Sequence, residues 1–356
     1  MCVQKIKGKS RGRHLRILAG ISLTLLVSMA LPLTGYLAYE TGLVQVAQAQ
    51  EDSDDEAVNQ RAEYWRAVRG GVEGYTAVSG PEAGVLIQDG GQNWRETRNG
   101  PVSFYGASLI IAVLVLITVK HLVRGRDRLD SRTGRTMARW PTFERALHWY
   151  VAVLFIILAI TGLSLFFGRA LLIPVMGKEA FAAWAQLAKP VHDYLALPFA
   201  AGLILTLLIY MRKMFLQSHD FVWLKSVGGL IGERHPPSGF FNAGEKIFFW
   251  LLFFCGIATM VSGFYLLFPN FGWERSAMQL ANIVHTASGL LLITVSLGHI
   301  YLGSFGVEGA LEGMVTGVVD EGFAKEHHIL WYEEVKGGAP SADVEPPVET
   351  PTTAPT

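Results

Sequence analysis

The chain has 356 residues, of which 51% are apolar and only 17% are charged. Soluble domains average about 25% charged residues, so this composition excludes a disordered protein, a coiled coil and a nucleic-acid binder, and it points to a membrane protein. Basic and acidic residues balance at 30 each, so net charge identifies no partner. The two cysteines are too few for a disulfide framework or a four-cysteine iron–sulfur cluster, and no CxxCH attaches a haem covalently.

The first fifty residues combine a basic head with a long apolar run. Six Lys and Arg residues end at Arg16, the apolar run follows, and Ala47-Gln48-Ala49 fits a small-x-small cleavage pattern. This order predicts a signal peptide over 1–49, with an uncleaved anchor as the alternative. Both readings place residue 50 outside the cytoplasm, so the polar stretch 50–102 is predicted to be a periplasmic segment.

Five apolar stretches follow, each near the ~20 residues that cross a hydrocarbon core. They run roughly over 104–123, 148–168, 192–215, 246–268 and 281–303. Backbone polar groups inside a bilayer must be satisfied within their own segment, so these stretches are predicted to be helices. We expect an extra transmembrane helix at 103–123 and a four-helix core over 148–303.

Basic residues concentrate after the first and third stretches. Six arginines lie within 124–139, whereas the loop predicted at 169–189 has three basic residues. After the third stretch come Arg212, Lys213, Lys225 and Arg234. The positive-inside rule therefore places the basic loop 124–147, the loop 216–245 and the C-terminus in the cytoplasm.

This orientation predicts a multi-pass protein of a bacterial inner membrane, with a periplasmic N-terminal segment and a cytoplasmic C-terminus. The segment 304–335 is then cytoplasmic. The tail 336–356 is rich in Pro, Thr and Gly, and we expect it to be disordered.

Histidine at membrane depth is costly and indicates a functional site. Four histidines lie in or at the edges of the core stretches: His148, His192, His285 and His299. His285 and His299 are fourteen residues apart, which places them on one helix face with about 21 Å between them along the axis. On the orientation above, His148 matches the depth of His299, and His192 matches the depth of His285.

Two histidines at equal depth on different helices can clamp one haem iron between them. The sequence therefore predicts two b-type haems, with the pairs His148–His299 and His192–His285 as axial ligands. The alternative is four polar side chains that are satisfied within a helix bundle. His121, at the end of the first stretch, is expected to be a solvated interfacial residue.

Six short motifs in order resemble the gamma (cytochrome b556) subunit of membrane-bound formate dehydrogenase over roughly 138–335. They are Phe143–Trp149 (FERALHW), His192, Phe241–Lys246 (FNAGEK), Ile283–Ala287 (IVHTA), Gly298–Tyr301 (GHIY) and His327–Tyr332 (HHILWY). The resemblance implies an all-α integral membrane protein, a four-helix transmembrane bundle that binds two haems b through the four histidines above. Here the bundle is preceded by one extra transmembrane helix.

The resemblance also implies partners and a reaction. An iron–sulfur beta subunit would deliver electrons from a periplasmic alpha subunit that oxidises formate at a molybdenum or tungsten pterin. This chain would be the electron-transfer subunit of that enzyme complex and would reduce quinone. A rival reading is the cytochrome b subunit of a hydrogenase or of another molybdoenzyme. A rival of another class is a transporter or a haem-free anchor, but the ionisable residues here lie near the membrane faces.

The matching loop of the family helps to form the quinone pocket, which implies that Asn242, Gly244 and Glu245 line it here. Asn242 and Glu245 could supply the hydrogen bonds and the proton path that quinone reduction needs. The alternative is a plain helix start, with Asn242 as N-cap and Glu245 completing a capping box.

Two further groups remain open in the sequence. His327 and His328 lie near Glu326, Glu333 and Glu334, where a metal site is conceivable and a solvated or subunit-contacting face is expected. Glu144 and Arg145 flank His148 and are predicted to form an interfacial pair, or Arg145 contacts a haem propionate.

Overall fold

The computed structural model describes residues 89–229 and 235–337. The predicted signal peptide, most of the segment 50–102 and the tail from residue 338 onward lie outside the described residues. Within the described ranges the chain is almost entirely helical, with two short strands.

The helices are α1 (Asp89–Thr97), α2 (Ser103–Val123), α3 (Thr142–Leu171), α4 (Ile173–Tyr210), α5 (Ser218–Lys225), α6 (Ala243–Leu267), α7 (Arg275–Tyr301), α8 (Ala310–Thr316), α9 (Glu321–His327) and α10 (Ile329–Gly337). The strands are β1 (Thr136–Ala138) and β2 (Val318–Asp320). Five helical stretches, which contain α2, α3, α4, α6 and α7, are long and apolar enough to cross a bilayer. The predicted all-α multi-pass membrane protein with five spans is therefore confirmed.

Two helices begin earlier than predicted. Helix α3 begins at Thr142 rather than at 148, and α4 begins at Ile173 rather than at 192. Residues 169–189 are helical for most of their length, because Lys178 onward is rich in alanine and other good helix formers. Gly177, with φ of 83°, interrupts α4 just before this stretch. His192 therefore lies about four turns beyond the break, and His148 lies nearly two turns inside α3.

The described residues form two compact units. The first unit comprises 89–125, 151–204 and 251–301. The second unit comprises the described parts of 126–150, 205–250 and 302–337.

In the first unit the extra helix α2 packs against α7. A Cβ at Gly106 would lie 2.4 Å from Cδ1 of Leu290, so only glycine allows this close approach. Ile110, Phe167 and Leu290 are buried together and form the core of this contact. Without a hydrophobic drive between helices inside lipid, close packing at small residues is what joins them.

The short helix α1 also attaches to α7. The indole Nε1 of Trp94 donates to Oδ1 of Asn282 at 3.2 Å. The guanidinium of Arg98 lies 4.6 Å from the ring centre of Phe166, a cation–π contact that ties the turn after α1 to α3. The segment ahead of α2 is thereby fixed to the unit that holds His192 and His285.

The second unit is built around the two strands. They pair antiparallel, with Met137 opposite Val319. The buried core around this pair consists of Met137, Val319, Phe323, Ala324 and Trp331. A two-stranded sheet is marginal alone in water, so this apolar cluster from α9 and α10 is what stabilises it.

Asp320 joins the strands to α9. As N-cap it accepts the amide of Gly322 at 2.7 Å, and it also accepts the amides of Thr133 at 3.1 Å and Gly134 at 2.9 Å. Burial alone would raise the pKa of Asp320, but these hydrogen bonds outweigh it and hold the pKa below its ordinary value.

We expect Asp320→Ala to loosen this junction by about 1–2 kcal/mol, the usual cost of losing an N-cap. Wild type should loosen in the same way as the pH falls below about 4. The carboxylate contributes its full stabilisation above the unfolded pKa of about 3.9 and loses it as the pH drops through the lower folded pKa. Hydrogen exchange of peptides covering 131–138 and 318–324, from pH 3 to 7, measures both effects. Identical exchange in the two proteins at pH 7 would contradict this role.

Candidate functional site

Two of the four predicted ligand histidines face each other in the first unit. His192 lies on α4 and His285 lies on α7. Their ring centres are 6.1 Å apart and the ring planes are inclined by 79°. The structure therefore brings together the pair that was predicted from matching depth.

The adjacent helix α3 fixes the tautomer of His192. Its Nδ1 lies 2.9 Å from Oγ1 of Thr161, and that hydroxyl donates its own proton to the carbonyl of Ile157 at 2.8 Å. The hydroxyl must therefore accept from His192, so Nδ1 carries the proton and Nε2 keeps its lone pair.

His285 is held in the same tautomer from α6. Its Nδ1 lies 3.0 Å from the carbonyl oxygen of Thr259, which can only accept, and the hydroxyl of Ser262 lies 3.5 Å away. Nδ1 of His285 is thus the donor, and Nε2 again keeps its lone pair. Both rings present the nitrogen that binds a metal.

A glycine lies against each ring. A Cβ at Gly162 would be 3.1 Å from Cε1 of His192, and a Cβ at Gly263 would be 3.1 Å from Cε1 of His285. Both glycines follow a hydroxyl residue, as Thr161-Gly162 and Ser262-Gly263. The repeated hydroxyl–glycine dipeptide is the sequence signal from which both glycines could have been predicted.

This arrangement fits an iron held between two imidazoles. Metal–nitrogen bonds to histidine are about 2 Å long, so two rings on opposite sides of one metal have centres about 6 Å apart. A ligating histidine normally donates its other nitrogen to an oxygen, which orients the ring and raises its basicity. His192 and His285 satisfy both conditions.

The other predicted pair, His148 and His299, joins residues of the two different units, so this pairing stays a prediction. His148 lies on α3, where its ring contacts Trp149 with centres 5.3 Å apart. His299 lies in the last turn of α7.

The loop before α6 forms the capping box that was the alternative to a quinone pocket. Oδ1 of Asn242 accepts the amide of Glu245 at 2.9 Å, and Oε2 of Glu245 accepts the amide of Asn242 at 2.8 Å. A Cβ at Gly244 would lie 2.7 Å from the ring of Trp223, so this glycine allows the indole to pack on the loop. The capping geometry is present, and a quinone role for the same residues stays a prediction.

A buried ion pair lies directly beside this loop. Nζ of Lys246 donates to Oδ2 of Asp220 at 2.6 Å, and both side chains are buried. Oδ2 of Asp220 also accepts the amide of Gln217 at 2.7 Å. These two contacts on Oδ2 of Asp220 fix α5 against the start of α6.

Arg139 is a buried cation at the centre of the second unit. Its Nη2 donates to the carbonyl of Phe240 at 2.7 Å and to Nε2 of His328 at 3.1 Å. The guanidinium also lies 4.7 Å from the ring centre of Phe240 and 4.9 Å from that of Trp331. Burial lowers the pKa of Arg139 to about 10, and the charge of Glu245 opposes this shift.

The expectation of a solvated face at His327 and His328 is wrong. His328 is 2% exposed, and its Nδ1 donates to the carbonyl of Gly239 at 2.8 Å. Burial, followed by the charge of Arg139, holds the pKa of His328 well below its usual value, so its Nε2 accepts from that guanidinium. Burial likewise lowers the pKa of His327 to about 4. The pair is part of the core because Phe323 packs against both rings.

The predicted interfacial pair of Glu144 and Arg145 is also replaced by other contacts. Oε2 of Glu144 accepts the hydroxyl of Tyr210 at 2.7 Å, and Nη1 of Arg145 donates to the carbonyl of Val315 at 2.6 Å. His121 is half-buried, and its Nδ1 lies 3.1 Å from the hydroxyl of Tyr301. Each of these polar groups therefore has a partner within its own unit.

Comparison with known proteins gives consistent relatives. A family model described as prokaryotic cytochrome b561 matches residues 139–317, half of the chain. The nitrate-inducible formate dehydrogenase cytochrome b556 subunit of Escherichia coli K12 is 26% identical over 57% of this chain and 93% of its own length. A second formate dehydrogenase cytochrome b556 subunit of that strain is 29% identical, over 56% and 94%.

The formate dehydrogenase cytochrome b556 subunit of Haemophilus influenzae is 30% identical over 58% of this chain and 87% of its own length. The family-model match, residues 139–317, begins after the extra helix α2 and includes the facing histidines on α4 and α7. The chain therefore belongs to the prokaryotic cytochrome b561 family and, within it, to the gamma (cytochrome b556) subunits of formate dehydrogenase.

Proposed function

We propose that this chain is the membrane subunit through which a formate dehydrogenase complex passes electrons from formate to quinone. The observation that carries the proposal is the facing pair His192 and His285, each with Nδ1 hydrogen-bonded to an oxygen of a neighbouring helix. A transporter or a passive anchor has no need for two histidines oriented in this way. The named relatives favour formate dehydrogenase over a hydrogenase.

The four histidines have a common role in this proposal. His192 and His285 hold one haem b, and His148 and His299 hold a second. Each bound haem b supplies a one-electron carrier. Thr161 and the carbonyl of Thr259 would act as positioning groups, because they keep Nε2 of each ring unprotonated and able to bind iron.

Asn242, Gly244 and Glu245 are proposed to line the quinone pocket. The capping box fixes the backbone of this loop. Because Gly244 has no side chain, the ring of Trp223 can pack against the loop. Glu245 lies close enough to Arg139 for their charges to interact. A carboxylate held in this way can pass a proton to a bound quinone, while Asn242 supplies a hydrogen bond.

The relatives are formate dehydrogenase subunits, so we propose the other subunits of such a complex as partners, and the resemblance of the motifs implies which they are. An iron–sulfur beta subunit delivers the electrons, and an alpha subunit with a molybdenum or tungsten pterin oxidises formate. We propose that these subunits lie on the periplasmic side, as the exported N-terminus and the arginine-rich loop 124–147 indicate. Electrons then enter near His192 and His285, and quinone is reduced near the cytoplasmic face.

Replacing His285 with alanine should remove one haem and leave the other, because only one of the two proposed pairs loses a ligand. A pyridine haemochrome assay on the purified chain should fall from two haems b to one. Two haems retained in His285→Ala would refute the assignment.

Two variants serve as controls for that experiment. His121→Ala removes a histidine of the same unit that is outside the proposed ligand set, so it should keep both haems. Thr161→Val should also keep both haems, but it should raise one midpoint potential, because an imidazole without its Nδ1 hydrogen bond is a weaker donor to iron. An unchanged midpoint potential would indicate that Thr161 contributes only to packing.

The capping box allows a sharp test of the quinone pocket. Glu245→Gln keeps a capping acceptor at the third helical position but removes the proton-exchanging carboxyl, and Asn242→Ser keeps an N-cap but removes the amide. We expect both variants to fold with normal haem content and to slow haem reoxidation by quinone at least about tenfold. Stopped-flow reoxidation on matched membranes measures this rate. Normal reoxidation rates in both variants would indicate that the loop has only a capping role.

Topology can be tested with reporter fusions. A reporter after residue 90 should be active only if it functions in the periplasm, and one near residue 340 only if it functions in the cytoplasm. The five spans and the distribution of arginines give this expectation. Both reporters active on the same side would overturn the proposed orientation.

A further inference from the structure

Three side chains that can ligate a metal converge in the second unit, and none of them is a proposed haem ligand. They are Asp130 in the linker after α2, His235 in the linker before α6, and Glu326 in α9. One ligand atom from each lies within 4.8 Å of the other two. The relatives' names and the proposed function assign no role to these residues.

The distance between His235 and Asp130 suits two ligands of one ion better than a direct bond. Nε2 of His235 lies 3.7 Å from Oδ2 of Asp130. That distance exceeds the normal limit of about 3.2 Å for a hydrogen bond. Two ligands of a tetrahedral zinc ion, with bonds of about 2.1 Å, lie about 3.4 Å apart.

His235 also has a nitrogen in need of a partner. Its Nε2 is buried, and among the described residues no hydrogen bond reaches it. An unsatisfied buried polar atom is unfavourable, so a ligand that pairs with it stabilises the protein. A neutral imidazole nitrogen is among the commonest metal ligands, so a metal ion suits this position.

Glu326 is already oriented toward the same point. Its carboxylate accepts the amide of Asp130 at 3.0 and 3.2 Å and the amide of Ser131 at 3.5 Å. An ionised carboxylate has about four acceptor positions, so these bonds leave room for a metal. Ligating carboxylates are themselves normally hydrogen-bonded, and here that bond also sets the position of Asp130.

We propose that Asp130, His235 and Glu326 bind one divalent transition-metal ion, and that the ion is zinc. Two carboxylates balance its charge, and the imidazole favours zinc over magnesium, calcium or manganese. The side chain of Asp130 is 63% exposed, so water can fill the fourth position and the ion can enter from solvent. The ion would join two linkers to a helix, and Asp130 and Glu326 are 196 residues apart in the chain.

The test is zinc binding by the full-length chain, purified in detergent and stripped with a chelator. Equilibrium dialysis against buffered free Zn²⁺, read by elemental mass spectrometry, should give one saturable zinc per chain. His235→Ala and Glu326→Gln should each weaken this binding by more than about 100-fold, since loss of an outer partner alone costs 10- to 100-fold. The matched controls His219→Ala and Glu333→Gln should bind zinc as wild type does.

Haem content reports whether a variant is folded, and hydrogen exchange reports whether zinc binds at the proposed site. An unchanged haem content shows that a variant is folded, and Asp130→Asn replaces any variant that fails this check. Zinc should slow exchange in peptides covering 128–133 and 235–240 in wild type and have no effect in His235→Ala. The proposal is overturned if wild type takes up no saturable zinc, or if the ligand variants and the controls bind equally. Neither result would bear on the haem ligands.

Discussion

The structure depends on one constraint, which is that a polar group inside a bilayer must find its partner within the protein. His192 and His285 meet this constraint without using the nitrogen that binds metal. Each gives its Nδ1 proton to an oxygen on an adjacent helix, and a glycine beside that oxygen lets the ring come close. Four helices, α3, α4, α6 and α7, thus contribute to one pair of rings. The same contacts satisfy the Nδ1 groups of the two imidazoles and orient their rings.

In the second unit, a buried cation likewise finds its polar partners within the protein. Arg139 is buried among aromatic rings and is held by the carbonyl of Phe240 and by His328. A guanidinium tolerates this environment because it is weakly hydrated and stacks on aromatic faces. His328 can accept from it only as a neutral ring, and burial ensures that state. Arg139 therefore joins β1, the loop before α6 and α10 through a single side chain.

Much of this was predictable from the sequence. The five apolar stretches predicted the five long helices, and the matching depth of His192 and His285 predicted that these two residues would form a pair. The helical stretch from Lys178 was missed because charged residues lie at both of its ends and alanines dominate it, so it does not look like a membrane span. The burial of His328 was missed because nothing local reveals that Arg139 lies against it. The pairing of β1 with β2 joins segments too distant for any local pattern to show. Local sequence patterns were therefore sufficient to predict the helices. The second unit is formed by contacts between distant residues, which no local pattern reveals.

The second unit is closed by contacts between residues that are far apart in the chain. Gly134 and Asp320 are separated by 186 positions, and Arg139 and His328 by 189. During synthesis the chain emerges from its N-terminus, so residues 126–150 meet these partners only after residues 320–328 have been translated. Such non-local closure is slow because chain entropy is lost before the contacts form. The membrane helices can insert one after another, whereas the second unit can close only after α9 and α10 have been translated.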